Sequence, residues 1–137
     1  MKSNTVKWLL GILQVFIGIG AVPVGLMMII DPSGPLPIEM LEGSPFPNFL
    51  IPGIVLFSIN GVGSLIGAVL TFRQHAYAGL VAIGLGAFLM VWIVMQVWWL
   101  GPPIHWLQVL YFVLGAAELG LGWMLDPGAV RRLIRAE

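Results

Sequence analysis

The chain has 137 residues, of which 59% are hydrophobic and only 9% are charged, and it contains no cysteine. Ordinary soluble domains carry roughly 25% charged residues, so this composition is that of a membrane protein. The absence of cysteine excludes disulfide exchange, thiolate metal sites and thiol nucleophiles. The formal net charge is zero, and this charge balance gives no support to nucleic-acid binding.

Four apolar runs predict four membrane-spanning helices, because each exceeds the ~20 residues that a helix needs to cross a hydrocarbon core. They are the runs 8–30, 49–72, 76–100 and 104–125. Between and after them lie an outer loop 31–48, an inner turn 73–75, an outer turn 101–103 and a tail 126–137. The predicted fold is an all-α membrane protein, a single domain over 1–137 built as a four-helix bundle. We interpret the first run as a retained helix, since it is longer than the ~7–15-residue core of a signal peptide.

The basic residues predict the orientation of this bundle. They precede the first run, occupy the turn 73–75 and follow the fourth run, at Lys2, Lys7, Arg73, Arg131, Arg132 and Arg135. Short loops rich in Lys and Arg remain in the cytoplasm. We therefore expect both termini inside the cell and the loop 31–48 outside it.

The outer loop is rich in proline and leads into the second predicted helix through Ser44, Phe46 and Asn48. We predict that Asn48 caps this helix and that Pro52 lies in its first turn, where proline is tolerated. Phe46 and Phe49 are expected to turn towards the mouth of the bundle. Two interpretations stay open: a stiff connector, or a lid formed by Phe46, Asn48 and Phe49 over an outward-facing pocket.

Small and polar residues recur at steps of three and four along the runs. The first run carries Gly11, Gln14, Gly18, Ala21 and Gly25, and the fourth carries Gln108, Tyr111, Gly115, Glu118 and Gly122. Helices in lipid approach each other closely only where side chains are small, so these residues predict the contact faces. The mean spacing of 3.5 residues is typical of a left-handed bundle.

Glu118 is the only carboxylate inside an apolar run. An ionised carboxylate there costs at least ~2.5 kcal/mol, so we expect the group to be protonated, paired or solvated. Gln14 lies seven residues beyond Lys7, and Glu118 lies seven residues before the inner end of its run, so we predict that the Gln14 amide donates to Glu118. Either the pair is a polar contact that holds the bundle together, or it binds a ligand or handles protons. In an enzyme, Glu118 would be the catalytic acid/base.

A second polar group is predicted in the outer half of the bundle. Its members are Asn60, Trp92, Gln96, Gln108 and Tyr111. Tryptophans at a membrane boundary are typical of an interfacial belt, but such a belt does not require amides deeper in the membrane. These residues, with Gln14 and Glu118, are therefore the candidate ligand-binding residues. His75 and His105 are the only histidines and lie on opposite sides of the predicted membrane, so neither a metal nor another cofactor is expected.

The segments SPFPNFLIPGIVLF, NGVGSLIGAVL and LQVLYFVLGAAELGLG resemble small four-helix bacterial membrane proteins over most of the chain from Glu42 onward. This resemblance implies the same fold and a bacterial inner membrane, and it brings no activity with it. The favoured function is non-enzymatic binding of a lipid-like small molecule or a partner membrane protein. Membrane lipids and further copies of the chain, in a homo-oligomer, are the other candidate partners. The alternatives are an enzyme acting on a lipid or isoprenoid, and an oligomeric transporter or channel unit.

Overall fold

A computed structural model describes residues 3–32, 44–100 and 106–136 of the chain. The helices in these ranges are α1 Ser3–Ile30, α2 Leu50–Val55, a π-helix Leu56–Gly63, α3 Ser64–Phe72, α4 Ala78–Leu100, α5 Trp106–Leu125 and α6 Ala129–Ala136. Residues 33–43 of the predicted outer loop, the predicted turn 101–103 and His105 lie outside the described residues.

Four helical stretches are long and apolar enough to cross a membrane. They are Asn4–Ile30, Leu50–Phe72, Ala78–Trp99 and Trp106–Leu125. The second stretch consists of α2, the π-helix and α3, which follow one another without a break. The prediction of a helical chain with four potential membrane spans is therefore confirmed for the described residues.

The first hairpin pairs α1 with the second span in antiparallel fashion. A Cβ added at Gly11 would lie 2.4 Å from the Phe72 ring, and one added at Gly25 would lie 2.6 Å from the Phe57 backbone nitrogen. Later residues of α1 thus contact earlier residues of the second span, which is the antiparallel arrangement. Because only glycine leaves room for these approaches, the predicted small-residue face of α1 is a contact face.

The second hairpin pairs α4 with α5 even more closely. A Cβ at Gly86 would lie 2.6 Å from the Gly115 carbonyl oxygen, and one at Gly79 would lie 3.1 Å from the Gly122 carbonyl oxygen. At these points the two backbones are in direct contact. Glycine on both helices is what permits this separation.

The second span departs from the uninterrupted α-helix that its hydropathy predicts. Its middle eight residues, Leu56–Gly63, form a π-helix in which Asn60 and Gly61 are buried. This segment packs tightly on α1, since a Cβ at Gly61 would lie 2.8 Å from the Val22 side chain. Segments of π-helix are rare and occur frequently at functional sites.

The segment 44–49 folds onto the end of the first hairpin. The Phe49 backbone N–H donates to the Pro32 carbonyl oxygen at 2.9 Å, and the Phe49 side chain is buried against Met28. Phe46 packs on the same cluster and meets the Trp99 ring edge-on, with ring centroids 5.3 Å apart. Both phenyl rings therefore face the bundle.

Asn48 lies one residue before the N-cap position of the second span. Its Oδ1 accepts a hydrogen bond from the Leu50 N–H at 3.0 Å, while Phe49 occupies the N-cap position and makes no side-chain cap. The predicted N-cap at Asn48 is thus displaced by one residue. Pro52 is the third residue of α2, within its first turn.

A Schellman-type turn ends α3. The His75 N–H donates to the Leu70 carbonyl at 2.9 Å and the Gln74 N–H donates to the Thr71 carbonyl at 3.1 Å, which is the bond pair of that motif. Gln74 adopts a φ of 55°, a left-handed conformation that glycine normally supplies. After α5, Arg132 of α6 forms an ion pair with Asp126.

Candidate functional site

A cavity of about 310 Å³ lies between the two hairpins, bordered by α1, the π-helix, α4 and α5. This volume is at the small end of the roughly 300–1,000 Å³ range of ligand pockets. Much of its wall is apolar, with Ile17, Ala21, Met28, Leu89 and Ile93 among the lining residues. None of the described lining residues carries a charge.

Five of the seven residues predicted to bind a ligand line this one cavity. They are Asn60 from the π-helix, Trp92 and Gln96 from α4, and Gln108 and Tyr111 from α5. The other two, Gln14 and Glu118, do not line it. The structure therefore divides the predicted set into an outer group around the cavity and an inner pair.

Helix α1 makes room for the cavity with two small residues, Gly20 and Ala21. A Cβ at Gly20 would lie 2.7 Å from the Tyr111 hydroxyl oxygen, so this tyrosine lies against bare backbone. Ala21 is 6% exposed and belongs to the buried core. A large side chain at either position would project towards Tyr111 or into the cavity.

Two residues of the cavity wall contain buried hydrogen-bond donors without a partner in the described structure: Asn60 at Nδ2 and Trp92 at Nε1. Asn60 is only 2% exposed. The Trp92 indole stacks on the Phe88 ring, with a centroid distance of 6.3 Å and an interplanar angle of 11°. Leaving a buried donor unsatisfied costs about 1–3 kcal/mol, so a polar atom bound beside either donor would relieve that cost.

The inner pair belongs to a buried polar cluster that includes Thr71. The Thr71 hydroxyl donates to Gln14 Oε1 at 2.8 Å and lies equally close to the Gly67 carbonyl oxygen. The Gln14 side chain also interacts with the Glu118 carboxyl. However, Gln14 Nε2 and both carboxyl oxygens have no hydrogen-bond partner of normal geometry in the described structure, so the predicted bond from Gln14 to Glu118 is not formed there at that geometry.

This polar cluster connects three helices. Gln14, Thr71 and Glu118 belong to α1, α3 and α5, and all three are fully buried, with 0% exposure. The hydrogen bond from Thr71 to Gln14 was not predicted, although Thr71 follows Ser64 and Gly67 at steps of three and four residues, the spacing that marks a contact face. The arrangement ties the two hairpins together at one level of the bundle.

An apolar cluster forms part of the cavity wall. It consists of Ile17, Leu89 and Ile93, with Leu13 and Leu114 among the residues packed against them. Leu114 lies one helical turn before Glu118, and Leu13 directly precedes Gln14. Glu118 itself is fully buried and does not line the cavity.

The three predicted lid residues lie beside the cavity rather than in its wall. Phe46 and Phe49 pack on Met28 and Leu56, and these two residues do line the cavity. Asn48 Oδ1 accepts a hydrogen bond from the Leu50 N–H. The segment 44–49 therefore supports one wall of the cavity from outside.

A second cavity, of about 250 Å³, lies at the opposite end of the bundle. Its lining includes Gln74, His75, Gly79 and Asp126. Asp126 is already paired with Arg132. Among the described residues, no group of three or more His, Cys, Asp or Glu side chains could hold a metal ion.

No family model, curated protein or solved structure matches this chain. The resemblance of its segments to small bacterial membrane proteins therefore stays a prediction. No activity, substrate or site residue can be transferred from a relative, and the function must follow from the chemistry of the cavity.

Proposed function

We propose that this chain is a polytopic protein of the bacterial inner membrane that binds a lipid-like small molecule in the cavity between its hairpins. The observation that carries the proposal is an apolar wall into which two buried, unpartnered donors, at Asn60 and Trp92, are built. Ligand pockets typically combine such a wall with a few polar groups that fix the orientation of the ligand.

The proposed orientation has both termini and the turn 73–75 in the cytoplasm. Lys7, Arg73 and Arg131 support it, because positively charged segments near membrane spans remain inside. The cavity would then open towards the outer half of the bilayer, since its lining includes Met28 and Leu107 near the opposite helix ends. A left-handed bundle is part of the same proposal.

Binding is better supported than catalysis by Glu118. An acid/base residue must come within hydrogen-bond reach of its substrate, yet Glu118 is 0% exposed and lines neither described cavity. Transport would require a polar path from Asn60 to Glu118. Glu118 does not line the cavity that Asn60 borders, and apolar residues such as Ile17 and Leu89 form much of that cavity's wall.

The segment 44–49 is proposed to act as a lid at the outer end of the cavity. Phe46 and Phe49 hold Met28 and Leu56 in place, so displacement of the segment would loosen one cavity wall. The Phe49 N–H donates to the Pro32 carbonyl oxygen, a bond that would hold this lid in its closed position.

Retention of a small molecule tests the proposed function. Native mass spectrometry from mild detergent should show a bound lipid-like adduct on the wild-type chain. Ala21→Phe should remove it, because a phenyl ring at this buried wall position fills the cavity. Ala117→Phe is the matched control, since Ala117 is exposed on α5 and does not line the cavity, and it should keep the adduct.

Either of two results would contradict the proposal: a wild-type chain without an adduct, or an Ala21→Phe chain that folds and retains it.

The orientation has its own test in this cysteine-free chain. A membrane-impermeant maleimide should label Pro45→Cys in intact spheroplasts and should leave Ala76→Cys unlabelled. The reverse pattern would invert the proposed topology.

A further inference from the structure

We infer that the ligand of this cavity is electrically neutral and presents a carbonyl-type oxygen to Trp92 Nε1 and Asn60 Nδ2. This inference rests on the proposed function and adds the chemical class of the ligand. The shared chemistry is an acceptor oxygen on a hydrocarbon body, which a quinone or a glycerolipid ester can supply.

Trp92 determines the polarity of the missing partner. The indole N–H can only donate, and Nε1 is buried without a partner. A molecule that satisfies it must therefore offer a lone pair, which a hydrocarbon cannot do. The neighbouring Phe88 ring stacks on the indole and so limits how far the N–H can turn away.

Asn60 supplies a second donor at about the same level of the bundle. Gly63 lies three residues after Asn60, and a Cβ at Gly63 would lie 3.3 Å from the Leu85 side chain of α4. The second span and α4 run antiparallel, so Asn60 lies about level with Leu89 and Trp92, which line the same cavity. A single carbonyl group has two lone pairs and can accept from both donors.

The charge of the wall argues against an anionic ligand. Carboxylate and phosphate groups would also satisfy two N–H donors, but burying an anion without a countercharge is costly. The described lining residues include no Lys, Arg or His. A neutral ketone, ester or quinone meets the two donors without that cost.

Four probes of matched size separate the possibilities. They are a medium-chain methyl ketone, the n-alkane of the same length, a monoacylglycerol and a benzoquinone with a short alkyl tail. Their dissociation constants are measured on the full chain in lipid nanodiscs. The ketone should bind about tenfold more tightly than the alkane, since a tenfold change corresponds to 1.4 kcal/mol, within reach of one or two buried hydrogen bonds.

Two conservative variants assign the contacts. Trp92→Phe keeps an aromatic ring and removes the N–H, and Asn60→Leu keeps the approximate volume and removes the amide. Each should weaken ketone binding about fivefold or more and leave alkane binding unchanged. The matched controls are Trp98→Phe, at an 84% exposed tryptophan, and Ser58→Ala, at an exposed serine of the same π-helix.

The outcomes distinguish this inference from the proposed function. If ketone and alkane bind equally well, the inference is overturned while the binding proposal stands. If none of the probes binds, the binding proposal itself fails. A ketone preference that survives both Trp92→Phe and Asn60→Leu would overturn the assignment of the donors. Tighter binding of the quinone than of the monoacylglycerol, or the reverse, supports the inference and identifies the source of the oxygen.

Discussion

Replacing Gly86 by alanine tests whether backbone contact between α4 and α5 holds the second hairpin together. A Cβ at this position would lie 2.6 Å from both the Gly115 carbonyl oxygen and the Leu119 backbone nitrogen. Neither atom belongs to a flexible side chain, so the new methyl group cannot be accommodated by a rotamer change. The two helices must separate, or the bundle must repack.

The size of the effect follows from these distances. Ordinary van der Waals contact begins at 3.4 Å, so α4 and α5 must move apart by roughly 0.8 Å near Gly86. Inserting a methyl group into a packed interface typically costs about 1–3 kcal/mol. We expect Gly86→Ala to lower the free energy of unfolding by an amount in the upper half of that range.

Gly84 provides a control on the same helix, because a Cβ there meets nothing within 4 Å. Gly84→Ala should leave the free energy of unfolding unchanged or raise it by up to about 1 kcal/mol, the difference in helix propensity between the two residues. Both variants are compared by reversible unfolding in mixed micelles of a mild detergent and dodecyl sulfate. Equal stability of Gly86→Ala and Gly84→Ala would refute the close helix contact.

Three further predictions concern single side chains. Gln74→Gly should raise the free energy of unfolding by about 1 kcal/mol, because Gln74 has a left-handed φ of 55° that costs other residues about 1–2 kcal/mol; a drop in the same micelle assay would contradict this. Thr71→Val should lower the free energy of unfolding by about 1 kcal/mol, because Gln14 Oε1 loses the hydroxyl that donates to it. Ser58→Ala should leave the free energy of unfolding unchanged, and equal effects of the two variants would argue against the buried contact. Glu118→Gln should leave ligand dissociation constants within about twofold of wild type, because this carboxyl does not line the cavity, and a larger change would couple the two sites.

Hydropathy and residue spacing predicted the helices and their contact faces from the sequence. The four runs follow from length and composition alone, since the bilayer sets the number of apolar residues that a span needs. Spacing also placed Gln14 and Glu118 on contact faces, and the structure buries both. This works because a polar or small side chain gains nothing from facing lipid.

The π-helix and the division of the polar residues could not be predicted in this way. The residues Leu56–Gly63 lie within one continuous apolar stretch, Leu50–Phe72, so hydropathy does not signal the change in hydrogen bonding. That change accompanies the tight packing of Phe57 and Gly61 on α1, which is a property of the assembled hairpin. The sequence likewise cannot show that Asn60 borders the cavity while Glu118 does not, because these residues lie on different helices.

The contrast between Gln14 and Asn60 separates a structural polar residue from a candidate binding residue. Both are amides, and both are almost completely buried. Gln14 contacts two other helices, through Thr71 and Glu118. Gln14 Nε2 and Asn60 Nδ2 both lack a hydrogen-bond partner in the described structure, but only Asn60 borders the cavity. Each hairpin is closed by glycine contacts along its length, whereas the hairpins meet around Gly20 and Ala21, where small side chains leave a gap. The cavity follows from that difference in packing, and Asn60 is the amide that the π-helix places beside it.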